Sequence, residues 1–191
     1  MIALGILGST RGSSLEPVIQ AIDDKRLAAE IKIVLSDRKE AGILTRAITH
    51  HLPALWMECA HQTRDAHDKH LSTILHQHHV ELVVLIGYMR ILGKPFVTEW
   101  HHRILNVHPS LLPAFAGQMD RALHQAVLDS GVTETGCTIH WVTEAVDQGP
   151  IVVQKRCPVL ENDTVETLKT RVQRLEGMAL IEAIAQFKVE S

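Results

Sequence analysis

The sequence predicts an α/β fold: a Rossmann-like, mostly parallel sheet with helices on both faces and an antiparallel addition near the C-terminus. Three observations lead there. Short apolar runs alternate with segments of helical periodicity as far as Gly131. One run, Glu81–Gly87, is apolar at almost every position, as a central parallel strand covered on both faces requires. Beyond Gly131 two β-rich runs follow one another with only turn residues between them.

Taken in order, Ile2–Leu7 is an apolar run that ends in Gly8. Leu15, Val18, Ile19, Ile22 and Leu27 then fall near helical spacing, which predicts strand, glycine loop and helix over the first 27 residues. Ile31–Leu35 and Ala54–Met57 repeat the strand signal around a helix over Ala41–His50. Arg64–His79 reads as a polar helix with Leu71, Ile74 and Leu75 on its inner face. After the central strand come a short helix at Pro95–Trp100, a strand at Arg103–Val107 and a helix over Asp120–Asp129. Thr135–Val142 and Ile151–Val159 form the expected antiparallel pair around the turn Asp147-Gln148-Gly149-Pro150. A long helix closes the chain over Thr164–Lys188, with Thr164 as N-cap and Leu168, Val172, Leu175, Ala179 and Ala183 spaced to bury a stripe.

Bulk properties narrow the function. The 191 residues carry Lys+Arg 19 against Asp+Glu 22, with no basic block, so no nucleic-acid or membrane surface is expected and small-molecule substrates are. One domain is expected over 1–191, with a phosphate-binding half at about 1–100 and a catalytic half at about 101–191. Cys59, Cys137 and Cys157 are too far apart for a CxxC pair, and no apolar stretch reaches the roughly 18–20 residues of a membrane span; a cytoplasmic protein is expected. The sequence does not indicate whether it is a monomer or a homodimer.

Two features carry chemistry. The loop Gly8-Ser-Thr-Arg-Gly12-Ser13-Ser14 lies between strand and helix, where free amides and a helix dipole attract an anion; the same loop also suits a plain tight turn with a serine cap. Arg11 within it suits either a phosphate contact or open water. Asn106 and His108, two residues apart at a strand end, point to the same face at the carboxyl edge of the sheet. An amide and an imidazole placed so can stabilise negative charge growing on a carbonyl oxygen. A nearby carboxylate would favour the protonated imidazole and relay a proton; Asp147, Glu144 and Asp129 are all candidates.

ILNVHPSLLP (Ile104–Pro113) followed by Asp147-Gln-Gly-Pro150 resembles the signature of the folate-dependent formyltransferases. The resemblance covers the whole chain, and is closest to the branch acting on 5-phosphoribosylglycinamide. It implies a catalytic triad of Asn106, His108 and Asp147, with 10-formyltetrahydrofolate as co-substrate. It further implies a folate site with Asn106 at its edge, formed by Met89, Arg90, Ile91 and Leu92, by the loop Val142–Asp147 including Val146, and by Arg64. The amine substrate would be held by Gly12, Ser13 and Ser14 at its phosphate and by Gln173 and Glu176 at its ribose and glycinamide. Two departures stand out: the family's asparagine is replaced by Ser14, and the segment Gln118–His124 is longer than its usual histidine-rich counterpart. A formyltransferase for another amine such as an amino sugar, or a non-catalytic folate- or nucleotide-binding module, are the rival expectations. The methionyl-tRNA branch and the formylfolate hydrolases carry additional domains, and 191 residues predict neither.

The histidine clusters at His50-His51, His76/His78/His79 and His101-His102 lack acidic or cysteine neighbours at ligand spacing, so no metal is expected. Cys137, in the run GCTIHWV, is expected to pack within a strand, and His140 in the same run to take a core or strand-face role.

Overall fold

The computed structural model describes residues 1–60 and 62–188. Its strands are β1 (Ile2–Leu7), β2 (Ala29–Ser36), β3 (Ala54–Trp56), β4 (Leu82–Leu85), β5 (Ile104–His108), β6 (Glu134–Trp141) and β7 (Ile151–Pro158). Among the described residues they form a single sheet in the order β3-β2-β1-β4-β5-β6-β7. The first five run parallel, while β6 pairs antiparallel with β5 and β7. The chain starts mid-sheet, winds outward to β3, crosses back to β4 and winds the other way. Its direction therefore reverses between β1 and β4, the place where open α/β sheets leave a crevice at their carboxyl ends.

The most apolar run is β4, the middle strand. Leu82 and Val84 enter one core with α1 (Leu15–Asp23), α2 (Gly42–Thr49) and α6 (Val165–Gln186); Val83 and Leu85 enter the other with α3 (Arg64–Gln77) and α4 (Lys94–Glu99). That two-sided cover is why its sequence shows no alternation. A smaller cluster joins Leu123 and Val127 of α5 (Asp120–Asp129) to Leu168 of α6.

Two elements differ from expectation. α1 stops at Asp23 because Lys25 takes a left-handed conformation (φ 59) and the amides of Arg26 and Leu27 both turn back to the Ala21 carbonyl. Leu27 is still buried, which is why it mimics the helical pattern. The inner face of α3 is also not purely apolar: His67, Asp68 and Ser72 are buried beside Leu71, Ile74 and Leu75. The histidine clusters lie at helix ends. His51, His79 and His102, at φ 56, 52 and 56, take the left-handed turn that stops α2, α3 and α4.

Candidate active site

β1 and α1 are joined by the glycine loop. Gly12 has φ +63, and a Cβ there would lie 2.6 Å from Cβ of Ile43, so no other residue fits without displacing α2. Among the described residues nothing accepts a hydrogen bond from the amides of Gly12, Ser13 or Ser14, which stand before the N-terminus of α1. Ser14 does not cap the helix; its hydroxyl donates to Oε2 of Glu176 on α6 at 2.6 Å. The Ser14 side chain is turned inward, so what the loop offers an anion is its main chain. Glu176 is buried at 9% exposure, and burial raises its carboxyl above the ordinary range despite the Ser14 bond.

Asn106 and His108 lie on the face of β5 opposite Leu105 and Val107, as alternation predicts. The loop that follows is fixed from β6: Thr138 donates to the Ser110 carbonyl at 2.7 Å and accepts the Leu112 amide at 3.0 Å, and Gln154 donates to the Leu112 carbonyl at 2.9 Å. Asp147 reaches the same face from the loop between β6 and β7. It adopts φ 55, a conformation aspartate tolerates better than most residues. Gly149 lets the loop close, since a Cβ there would lie 1.7 Å from the Trp141 carbonyl oxygen.

Asp147 Oδ2 lies 3.3 Å from Nδ1 of His108 and accepts the Gly117 amide at 2.9 Å, while Oδ1 lies 3.5 Å from Nε2 of His140. The side chains of His108, His140 and Asp147 are 5%, 2% and 8% exposed. Burial pushes the Asp147 carboxyl up, but the hydrogen bonds from His140 and Gly117 and the charge of His108 together hold it below the usual range. For His108 burial prevails: it lowers the imidazole below its usual value, against the opposing pull of Asp147 and of the Phe115 carbonyl, 3.3 Å from Nε2. Burial thus disfavours the expected protonated His108, although an acceptor faces each of its nitrogens.

His140, which the sequence assigns to the core or a strand face, stands beside Asn106 and Asp147. It pairs with Asn106 across β5 and β6, its Nε2 3.0 Å from the Asn106 amide nitrogen. Its Nδ1 lies 2.9 Å from the Trp141 carbonyl, an acceptor only, so Nδ1 carries a hydrogen, while Nε2 faces both the Asn106 amide nitrogen and Asp147 Oδ1. His140 thereby touches Asn106 and Asp147, two of the side chains that border both cavities. The only sequence signal for His140 is its register opposite Asn106, which depends on the turn that follows.

Two cavities meet here. One, of about 220 Å³, holds Gly12, Ser13, Ser14, Met89, Gln118, His124, Gln173 and Glu176 in its wall; the other holds Arg90, Ile91, Leu92, Val142, Val146 and His140. Tyr88, Asn106, Met119 and Asp147 line both. The predicted residues are thus brought together except Arg64, which lines neither cavity and is exposed at the start of α3 beside Gly93. His124, buried on α5, enters the first cavity from the atypical segment. Cys137 packs in the core with its thiol pushed up to about 12 by burial, which removes it as a nucleophile.

A doubly wound sheet thus sets an amide, an imidazole and a carboxylate where two cavities adjoin. The chain belongs to the formyl transferase family, whose model, described as "Formyl transferase", matches residues 3–184. It is 34% identical to the phosphoribosylglycinamide formyltransferase of Bacillus subtilis, over 92% of this chain and 89% of that protein. It is 41% identical to the bovine trifunctional purine biosynthetic protein adenosine-3, over 91% of this chain but only 17% of that longer protein. The crystal structure of glycinamide ribonucleotide transformylase 1 from Symbiobacterium toebii superposes with a TM-score of 0.92 at 41% identity, covering 97% of this chain and 86% of that one.

Proposed function

We propose that the protein transfers the formyl group of 10-formyltetrahydrofolate to the amine of 5-phosphoribosylglycinamide, a reaction of purine biosynthesis. The observation that carries this reading is the shared wall: Asn106 and Asp147 border both cavities, so a donor in one and an amine in the other would meet at these side chains. Identity to the Bacillus subtilis enzyme over nearly its full length supports the choice of substrates.

The cavity lined by Arg90, Ile91 and Leu92 suits the folate. Among the described residues none hydrogen-bonds to the main chain of these three, which leaves amides and carbonyls for a pterin edge. The 10-formyl group supplies an electrophilic carbon. The first cavity suits the amine substrate, with the Gly12–Ser14 amides at its phosphate and Gln173 and Glu176 on one face of α6 toward its remainder.

The chain's own residues account for the transfer as follows. As the amine attacks the formyl carbon, the Asn106 side-chain amide stabilises the growing oxyanion. Neutral His108 takes the proton shed by the amine nitrogen and becomes an imidazolium held by Asp147, adding a charged donor beside that oxygen. Returning the proton to the folate nitrogen lets the carbon–nitrogen bond break and the new formamide form. No covalent bond to the protein is made.

No described helix is long and apolar enough to cross a membrane, and a cytoplasmic enzyme working without a metal completes the proposal. The test is Asp147→Asn, which keeps shape and removes charge. Turnover should fall by about 100–1000-fold, the effect typical of losing a preorganised electrostatic partner, while tetrahydrofolate still binds. Near-normal turnover would remove the triad from the mechanism.

A further inference from the structure

We propose that His67, acting through Tyr88, is a positioning residue that sets the main chain of the segment Tyr88–Gly93; the inference rests on the reading of that segment as the folate site. The segment is pinned from two sides. From the glycine loop, Ser9 accepts the Met89 amide on its hydroxyl at 2.8 Å while donating that hydroxyl to Asp37. From α3, Asp68 Oδ2 accepts the Gly93 amide at 2.6 Å, and His67 Nε2 meets the Tyr88 hydroxyl at 3.1 Å. Arg90, Ile91 and Leu92 hang between these anchors with their main chain open to the cavity.

The His67–Tyr88 pair differs from the other anchors in being incompletely satisfied. His67 is 1% exposed, and its Nδ1 is buried with no hydrogen-bond partner among the described residues. Burial keeps the ring neutral and holds the Tyr88 phenol well above its usual range, so one neutral hydroxyl and one neutral imidazole share a single bond. Without the hydroxyl both ring nitrogens would lie unpaired in the core beneath the segment, whereas removing both polar groups removes the demand altogether. Tyr88 lines both cavities, so movement of its ring is transmitted to the folate side directly and to Arg90–Leu92 through the chain.

The discriminating set is Tyr88→Phe, His67→Phe and the double variant, assayed with 10-formyltetrahydrofolate and 5-phosphoribosylglycinamide, with calorimetric binding of tetrahydrofolate and thermal unfolding of each protein. For Tyr88→Phe the folate KM should rise about tenfold, the effect of one unsatisfied buried group, and by clearly more than the amine KM. The double variant should recover most of that loss. An unchanged folate KM, a parallel rise in both KM values, or a double variant no better than the singles would overturn the role of His67. If the wild-type protein binds no tetrahydrofolate, the folate reading fails and the inference with it; wild-type binding matched by Tyr88→Phe removes the inference alone.

Discussion

His108 has acceptors at both nitrogens yet is kept neutral by burial, and this combination makes a kinetic prediction. The activity needs the neutral ring, so the rate should fall on acidification through a value below the ordinary 6.5. Asp147 raises the His108 value, so Asp147→Asn should move that acid limb to still lower pH in whatever activity remains. A pH profile of kcat/KM checks both, and a limb that moves toward neutrality would contradict the assignment. Glu176 titrates in the opposite sense. Its carboxyl is raised above the usual 4.5, so the stability linked to its proton is present below that value and is lost as the pH rises through the raised one. Glu176→Gln keeps an acceptor for the Ser14 hydroxyl and carries no charge. The fall in Tm toward alkaline pH should therefore be shallower in the variant than in the wild type.

Among the helices, α6 brings Lys169, Gln173 and Glu176 to the cavity proposed for the amine, and it is held at two points. Its first turn is capped by Thr164 and Thr167 in a reciprocal box, and Asp163 just before it accepts both Arg171 guanidinium nitrogens and the Leu160 amide. Asp163→Ala removes these charge-assisted bonds and should destabilise the protein by about 1.5–3 kcal/mol, measurable by denaturant titration. Further along, Gly177 lies against Pro17 of α1, where a Cβ would be 2.6 Å from the proline ring. Gly177→Ala should therefore force α6 away from α1, lowering stability by about 1–3 kcal/mol and raising the KM for the amine more than that for the folate, because the Ser14–Glu176 bond spans the same gap. Both KM values unchanged would mean that α6 does not set that cavity.

The element pattern was largely legible in the sequence because each strand and helix buries a stripe whose period survives in the residues, most plainly in Leu82–Leu85. What was not legible is polar and tertiary. α3 shows polar residues on its inner face because those groups bond to other segments, Ser72 to the Trp100 indole and Asp68 to Gly93, and no periodicity encodes a distant partner.

At the scale of the whole molecule, the site forms where the winding reverses between β1 and β4, which brings the glycine loop, the segment after β4 and the end of β5 to one crevice. That Asn106 and His108 share one face at a strand end was readable from alternation, whereas their role was not. Asp147 came only with the family motif, and the structure now separates the three candidate carboxylates: Glu144 pairs with Lys94 at 3.2 Å and Asp129 accepts from Gln125 at 2.8 Å, whereas Asp147 faces His108. His140 escaped because its position depends on the antiparallel register of β6. Gln118, Met119 and His124 of the lengthened segment line the cavity proposed for the amine and so bear directly on the choice of acceptor. That choice is tested most directly by measuring tetrahydrofolate release from 10-formyltetrahydrofolate with 5-phosphoribosylglycinamide beside a panel of phosphorylated amino sugars. Release in step with formylated glycinamide ribotide, and none with the amino sugars, is the predicted result; turnover on an amino sugar without turnover on the ribotide would contradict it.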